Sequence, residues 1–335
     1  MRERGVALAE TLELTIGYSS RRRCVRVMEH LSVSAGSGEL VALIGRNGAG
    51  KSTLLRTLVS LQPPIGGTVR LQGRDLHTIG STMLPRIVSY TSTEPVAERN
   101  ITVREAVSLG RFPYTNWIGA MTSADREAVD LALEDTGMLE LAGRRLDSIS
   151  DGERQRTLIA RSLAQDTELL VMDEPTAFLD LPSRYGIVSL LRKLTREKGK
   201  CVLYSTHDLD TALNEADRIW LMHGDGITEG APEDLILSGT IAHAFESPLL
   251  SFSSHEGTFS FVRGKRRGIA LGGDAPALSL TEKALGRCGY TVDQKADVKI
   301  TVKREKEGWC WTIAEGSQTR SYSTLYDLMV HLPEE

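Results

Sequence analysis

Cysteine is scarce and unpatterned in this chain: four residues, Cys24, Cys201, Cys288 and Cys310, are scattered over 335 positions. No C-x-x-C pair or histidine-flanked spacing joins them, so no cysteine-based metal site or disulfide framework is indicated, and free thiols in a reducing compartment are expected. Long apolar runs are missing as well. No window approaches the roughly 18 to 20 apolar residues of a membrane span, and no apolar core follows the charged start Met1-Arg2-Glu3-Arg4. Neither sign of charge dominates. Forty basic against 44 acidic residues leave a formal charge of −4, which argues against binding to nucleic acid through bulk electrostatics. The clusters Arg21-Arg22-Arg23 and Lys265-Arg266-Arg267 are short and read as solvated loops. There is no internal repeat. What remains is the composition of an ordinary soluble globular protein, 41% apolar and 25% charged, with length enough for two domains.

Against that background, Gly45-Arg46-Asn47-Gly48-Ala49-Gly50-Lys51-Ser52-Thr53 carries the clearest chemistry. It fits G-x-x-x-x-G-K-[ST], follows the apolar run Glu39 to Ile44, and precedes Leu54 to Val59, which can continue as a helix. A strand, a glycine loop and a helix in that order make a phosphate cradle: the glycines turn backbone N–H groups toward an anion, and the helix N-terminus adds partial positive charge. Lys51 is expected to reach the β- and γ-phosphates and the Ser52 hydroxyl to sit on Mg²⁺. The chain is therefore expected to bind a nucleoside triphosphate.

Three further stretches bear on what happens to that triphosphate. Leu169-Leu170-Val171-Met172 ends in Asp173-Glu174. A strand beside the phosphate loop would bring Asp173 to the Mg²⁺ shell, usually through water, and Glu174 to the attacking water. Ser150-Asp151-Gly152-Glu153 places a hydroxyl and a glycine at a helix start, which can offer N–H groups to a phosphate; the same residues also make a plain turn and N-cap. His207 follows the apolar run Cys201 to Ser205 and either contacts the γ-phosphate or serves only the local structure.

Strand-like and helix-like stretches alternate through the first 250 residues as in an α/β domain. Strands are expected at Leu8 to Ile16, Val25 to Val33, Gly66 to Leu71 and Arg86 to Tyr90. Thr102 to about Ala142 reads as helical, with Thr102 and Ser123 as N-caps, and helices are also expected over Arg154–Ala164, Ser183–Lys198 and Leu209–Ala216. Ile219 to His223 and Gly226 to Gly230 read as a hairpin. The Ser-, Gly- and Phe-rich stretch Ser251 to Gly264 marks a boundary. Beyond it comes a small α+β appendage of about 80 residues, near the lower limit for independent folding. It has a strand at Gly268 to Leu271, a helix over Ser279–Arg287, a strand pair Val298–Lys303 and Trp309–Ile313, and a last helix over Ser323–Leu332. Trp309 and Trp311 would share one strand face and pack a small core.

Taken in order and at these separations, the motifs of about residues 8 to 240 resemble the ATP-binding cassette (ABC) family of ATPases. The resemblance implies a P-loop fold in which a mixed sheet core carries an antiparallel β subdomain and a helical subdomain of about 94–165. The ATPase would span 1–250, with 251–335 as an extension outside the family core, open to either a regulatory or a dimer-supporting role. Gly45 to Thr53 would be the Walker A loop, with Gly45, Asn47, Gly48, Gly50, Lys51, Ser52 and Thr53 on ATP; Asp173-Glu174 would be Walker B. Ser150, Asp151, Gly152 and Glu153 would form the signature facing the opposite subunit's ATP; Ala177 to Asp180 would be the D-loop and His207 the switch histidine. Tyr18 falls where the family keeps an aromatic that stacks on adenine; the alternative is a half-exposed tyrosine at a strand end. Two positions depart from the pattern. Asp151 replaces the first signature glycine, and Thr93, with Glu94 beside it, stands where a glutamine usually couples the site to a membrane partner.

A member of this family would hydrolyse ATP with Mg²⁺ as a homodimer, driving two transmembrane permease subunits from the cytoplasmic face of the inner membrane. A single cassette without membrane spans favours that role over a soluble ATPase acting on ribosomes or DNA. Leu109-Gly110-Arg111-Phe112-Pro113-Tyr114, followed by Trp117, resembles the permease-facing stretch of importers of ferric siderophores, haem and cobalamin. That implies an extracytoplasmic solute-binding protein and no nucleic acid partner.

Overall fold

The computed structural model describes residues 7–20, 23–92, 100–115, 119–224, 226–253, 257–262, 267–306 and 308–332. Two compact units divide the chain: Met1–Glu246 with Phe252–Phe259, and Ser247–Ser251 with Ser260–Glu335.

The first unit begins with β1 (Ala7–Ser20), β2 (Arg23–Leu31) and β3 (Ser34–Gly36), followed by β4 (Leu40–Gly45), α1 (Lys51–Leu58), β5 (Gly66–Leu71), β6 (Arg74–Asp75) and β7 (Val88–Thr91). The long β1 is the spine of an antiparallel sheet ordered β2-β1-β5-β6, with β3 also on β1. Next come α2 (Val103–Ser108), α3 (Ser123–Asp135), α4 (Asp151–Ala164), β8 (Leu169–Met172), α5 (Leu181–Lys198), β9 (Cys201–Ser205), α6 (Leu209–Glu215), β10 (Arg218–His223) and β11 (Gly226–Gly230). The central sheet runs β11-β10-β4-β9-β8-β7 and is parallel except for β11. Every residue of β4, β8 and β9 is buried, which explains why these strands are unbroken apolar runs rather than alternating ones. One face packs Leu43, Leu203 and Trp220 against Leu54 and Leu58 of α1 and Leu14 of β1. The other packs Ile44, Met172 and Tyr204 against Ile187 and Leu191 of α5.

In this order β9 stands between β4 and β8. Helices α2, α3 and α4 share a separate core that includes Val107, Leu133 and Ala160. The helical reading of 102 to 142 is interrupted at Leu109–Tyr114, a 3-10 segment containing Pro113, and Thr122, not Ser123, caps α3 through a capping box with Asp125. Arg86 falls in a 3-10 turn ahead of β7. Thr93, Glu94 and Trp117 lie outside the described residues. The first unit also holds α7 (Pro232–Leu237) and α8 (Thr240–Phe245); Phe245 meets Phe259 edge-on, with ring centroids 6.0 Å apart. A two-stranded ribbon, β12 (Leu250–Ser253) with β13 (Thr258–Phe261), brings Phe252 within 4.7 Å of Phe259.

The second unit is α+β. Its elements are β14 (Arg267–Gly273), α9 (Ala277–Arg287), β15 (Tyr290–Val292), β16 (Val298–Glu305), β17 (Gly308–Glu315), β18 (Gln318–Tyr322) and α10 (Leu325–Val330). The sheet order is β15-β14-β16-β17-β18, parallel around β14 and antiparallel from β16 onward. Trp311 is buried against Ile300, Leu285 and Leu328, and its indole N–H donates to Thr281 Oγ at 2.8 Å. Trp309 packs against the same core.

Candidate functional site

The loop between β4 and α1 is shaped by two of its glycines. Gly48 and Gly50 hold positive φ, 80° and 102°, and a Cβ on Gly50 would stand 2.6 Å from Val27 Cγ1. Only glycine meets both demands at position 50. Lys51 opens α1 and is 7% exposed, its Nζ donating to Gly45 O at 3.0 Å and Arg46 O at 3.5 Å. Burial pushes its ammonium pKa down; Glu174 and Asp173 act in the opposite direction, so both carboxylates lie within electrostatic reach of it. Ser52 is exposed in the first turn, and Thr53 Oγ lies 3.1 Å from the hydroxyl of Tyr18, whose ring stands on the surface. Asn47 lines a cavity of about 320 Å³ with Ile44, Gly45, Arg46, Thr206, His207, Leu209 and Phe245.

Asp173 and Glu174 follow β8. Asp173 is 3% exposed; its N–H donates to Thr91 O at 2.8 Å, and its Oδ1 accepts a 2.6 Å hydrogen bond from Ser205 Oγ. Glu174 takes a positive φ of 48°, uncommon for a residue with a side chain. Its Oε2 lies 3.6 Å from Nδ1 of half-exposed His207. The two residues expected to govern hydrolysis thus face each other. Asp208, next to His207, caps α6 and pairs with Arg184 at 2.9 Å. Burial alone would raise the Asp208 carboxyl, but hydrogen bonds from Thr211 and Arg184 outweigh it and hold the pKa below its usual value.

The signature residues are positioned by other means. Ser150 is the exposed N-cap of α4, in a capping box with Glu153: Ser150 N–H and O–H both donate to Glu153 Oε2, at 2.8 and 2.9 Å. The hydrogen bonds from Ser150 hold the Glu153 carboxyl below its usual pKa. Asp151 points into solvent and pairs with Arg154 at 3.2 Å. Gly152 lies close to α5: a Cβ there would meet Ser183 Oγ at 2.9 Å. Ser183 belongs to the first turn of α5, where Asp180 is the N-cap and accepts from Ser183 N–H at 3.1 Å. The start of α4 and the first turn of α5 therefore lie close together. Beside them Phe178 is 96% exposed at a φ of 63°.

The stretch expected to face a permease divides. Phe112 and Leu109 are exposed, whereas Arg111 is buried, pairing with Asp125 at 2.9 Å, donating to Ala164 O and lying 3.9 Å from the Tyr114 ring centre. Sequence reasoning missed Ser205 and the Arg184–Asp208 pair because their partners lie on elements distant in the chain.

A strand-bounded phosphate loop, an apolar strand ending in paired carboxylates, and a separate helix capped by Ser150 are the arrangement expected of an ATPase of the cassette class. The family model "ABC transporter" matches residues 28–177, and "Iron ABC transporter C-terminal domain" matches residues 265–333. The achromobactin transport ATP-binding protein of Dickeya dadantii is 39% identical over 234 residues, 70% of this chain and 86% of that protein. The iron(3+)-hydroxamate import ATP-binding protein of Bacillus subtilis is 37% identical over 237 residues, 70% and 87%. An uncharacterized ABC transporter ATP-binding protein of Methanocaldococcus jannaschii is 32% identical over 298 residues, 88% and 99%. Among solved structures, a subunit of an ABC transporter complex from Clostridium perfringens superposes with a TM-score of 0.62 at 24% identity, covering 71% of this chain and 93% of that one. A dimeric bacterial ABC transporter cassette gives 0.59 at 24% identity, covering 67% and 98%. The chain belongs to the ABC transporter family, as an ATP-binding subunit whose ATPase activity energises transport. Its second unit, left without a role by the sequence reading, matches a C-terminal domain of iron ABC transporters. Among the described residues, no helix is long and apolar enough to cross a membrane.

Proposed function

We propose that this chain powers the import of a ferric siderophore or a related metal chelate. The observation that carries the reading is the match of residues 265–333 to a domain of iron transporters, on a chain whose ATPase relatives include transporters of achromobactin and iron(3+)-hydroxamates. The working unit is a homodimer docked on two transmembrane permease subunits at the cytoplasmic face of the membrane and served by an extracytoplasmic solute-binding protein. Residues 1–250 form the ATPase domain and 251–335 the extension. Exposed Leu109 and Phe112 suit the permease contact.

In the ATPase domain, Tyr18 stacks on adenine, and Gly45, Asn47, Gly48, Gly50, Lys51, Ser52 and Thr53 hold the phosphates. A triphosphate oxygen competes with the carbonyls of Gly45 and Arg46 for the Lys51 ammonium. Glu174 orients and deprotonates the attacking water, with His207 opposite it. In the head-to-tail dimer, Ser150 and Gly152 of one copy close over the nucleotide of the other, and Asp180 lies in the D-loop between them.

The residues fit a Mg²⁺ requirement. Ser52 supplies a hydroxyl and Asp173 a buried carboxylate, the hard oxygen donors this ion takes. Among the described residues no cluster of three or more His, Cys, Asp or Glu forms a cage, consistent with an ion held largely by substrate and water oxygens. When bound, the ion neutralises phosphate charge.

The test is uptake of radiolabelled iron as its siderophore complex by cells lacking this chain. Uptake should return with the wild-type chain and stay absent with Lys51→Ala. Normal uptake without the chain, or its recovery with ribosomes instead of a permease, would reject the reading.

A further inference from the structure

The insertion of β9 between β4 and β8 places a side chain of β9 where the catalytic strands need one. Ser205, the last residue of β9, is fully buried. Its hydroxyl donates to Asp173 Oδ1 at 2.6 Å and accepts the N–H of Glu174 at 2.9 Å. A hydroxyl has one proton to give and two lone pairs, so one oxygen can brace both residues. The contact to Asp173 is short for an O–H···O hydrogen bond to a carboxyl oxygen. The contact to Glu174 falls on a backbone held at a φ of 48°, a conformation that persists only where its surroundings fix it. Two backbone bonds lie alongside the Glu174–His207 contact: Asp173 N–H to Thr91 O at 2.8 Å and Ala177 N–H to Glu174 O at 3.0 Å. They fix the chain's path but not the carboxylate of Asp173.

We propose that Ser205 is a positioning residue of the hydrolytic centre, using one hydroxyl to set the rotation of the Asp173 carboxylate and the backbone from which Glu174 reaches toward His207. The inference rests on the roles given above to Asp173 and Glu174. Through Asp173, Ser205 governs how readily Mg²⁺ is held; through Glu174, it governs the aim of the group that activates water. Misplacement of a catalytic group by about 1 Å can cost on the order of a hundred-fold in rate.

The test compares Ser205→Ala, Ser205→Thr and wild type as the full chain, in steady-state ATPase assays, fluorescent ATP-analogue binding at graded Mg²⁺, and thermal unfolding without nucleotide. Ser205→Ala should lower kcat by about ten- to a hundred-fold. Its KM for ATP should stay within about two-fold of wild type, and its half-saturating Mg²⁺ for analogue binding should rise several-fold. Ser205→Thr, which keeps the hydroxyl, should recover most of kcat and the Mg²⁺ response. Ser205→Ala with kcat and Mg²⁺ dependence both near wild type overturns the proposal. So does a loss that follows the melting temperature and is not recovered by threonine, since that marks a purely structural serine. If Ser205→Ala does not fold, Ser205→Cys, similar in size with a weaker donor, carries the same comparison: reduced kcat in a folded protein supports the role, and wild-type kcat rejects it. Glu174→Gln assayed alongside separates the two readings, because normal turnover there would remove Glu174 from catalysis whatever Ser205 does.

Discussion

At the catalytic edge, Lys51, Asp173 and Ser205 are buried, and the ends of β8 and β9 are cross-braced by the Ser205 hydroxyl. At the signature, Ser150 and Asp151 stand in solvent, and their polar contacts run to Glu153 and Arg154 of their own helix. Groups that must hold one geometry through a reaction are locked from neighbouring strands, which lowers the reorganisation needed when charge moves. The groups proposed to meet a partner's nucleotide are bonded locally, the Ser150 N–H and hydroxyl to Glu153 and the Glu153 N–H to Ser150 Oγ. In the proposed dimer, the first region is the half-site that each copy carries and the second the surface it offers to the other.

The largest effect should come from breaking the offered surface without touching the locked one. Ser150→Arg is expected to spare nucleotide binding by the monomer and abolish turnover; unchanged ATPase activity would refute a site shared across the dimer. Glu174→Gln acts on the locked edge and should slow hydrolysis by about 10²- to 10⁴-fold. Nucleotide affinity should be kept and ATP-dependent dimers should accumulate, as size-exclusion chromatography would reveal. Arg111→Met probes the scaffold beneath the signature. It removes the guanidinium from Asp125 Oδ1 and leaves that carboxylate only its Thr122 hydrogen bonds, so denaturant unfolding should show a measurable loss of stability.

A pH series sharpens the contrast through Asp208, at the locked edge. Its folded-state pKa is depressed, so its contribution to stability is present above the unfolded value of about 4 and is lost as pH falls through the folded value. Asp208→Asn should therefore be less stable than wild type near neutrality, and the gap should close in acid. Urea titrations that show a constant gap down to about pH 2 would contradict the shift. The smallest effect is expected for Ser150→Ala, which removes an exposed cap worth about 1 kcal/mol in stability, read from the denaturant midpoint.

Much of this arrangement was legible in the residues. The glycine loop announces itself because Gly48 and Gly50 adopt backbone angles that other residues resist. The central strands were found because strands buried on both faces are unbroken apolar runs. Strand order was not legible: nothing local to Leu169–Met172 says that Cys201–Ser205 will slip between it and Leu40–Gly45, and Ser205 is hidden for the same reason. Thr122 and Ser123 are adjacent hydroxyl residues, so the cap was misplaced by one. In the second unit, β18 escaped notice because Gln318–Tyr322 is a polar strand with no apolar alternation to mark it.

Glu153 gives the capping box at Ser150 a further meaning. One carboxylate oxygen occupies both Ser150 donors, N–H and O–H, the pair that a phosphate oxygen from a partner's nucleotide would need. The helix therefore carries a resident anion, and in the dimer proposed above engagement of Ser150 would exchange one anion for another. The net gain is the difference between two sets of charge-assisted hydrogen bonds, smaller than either.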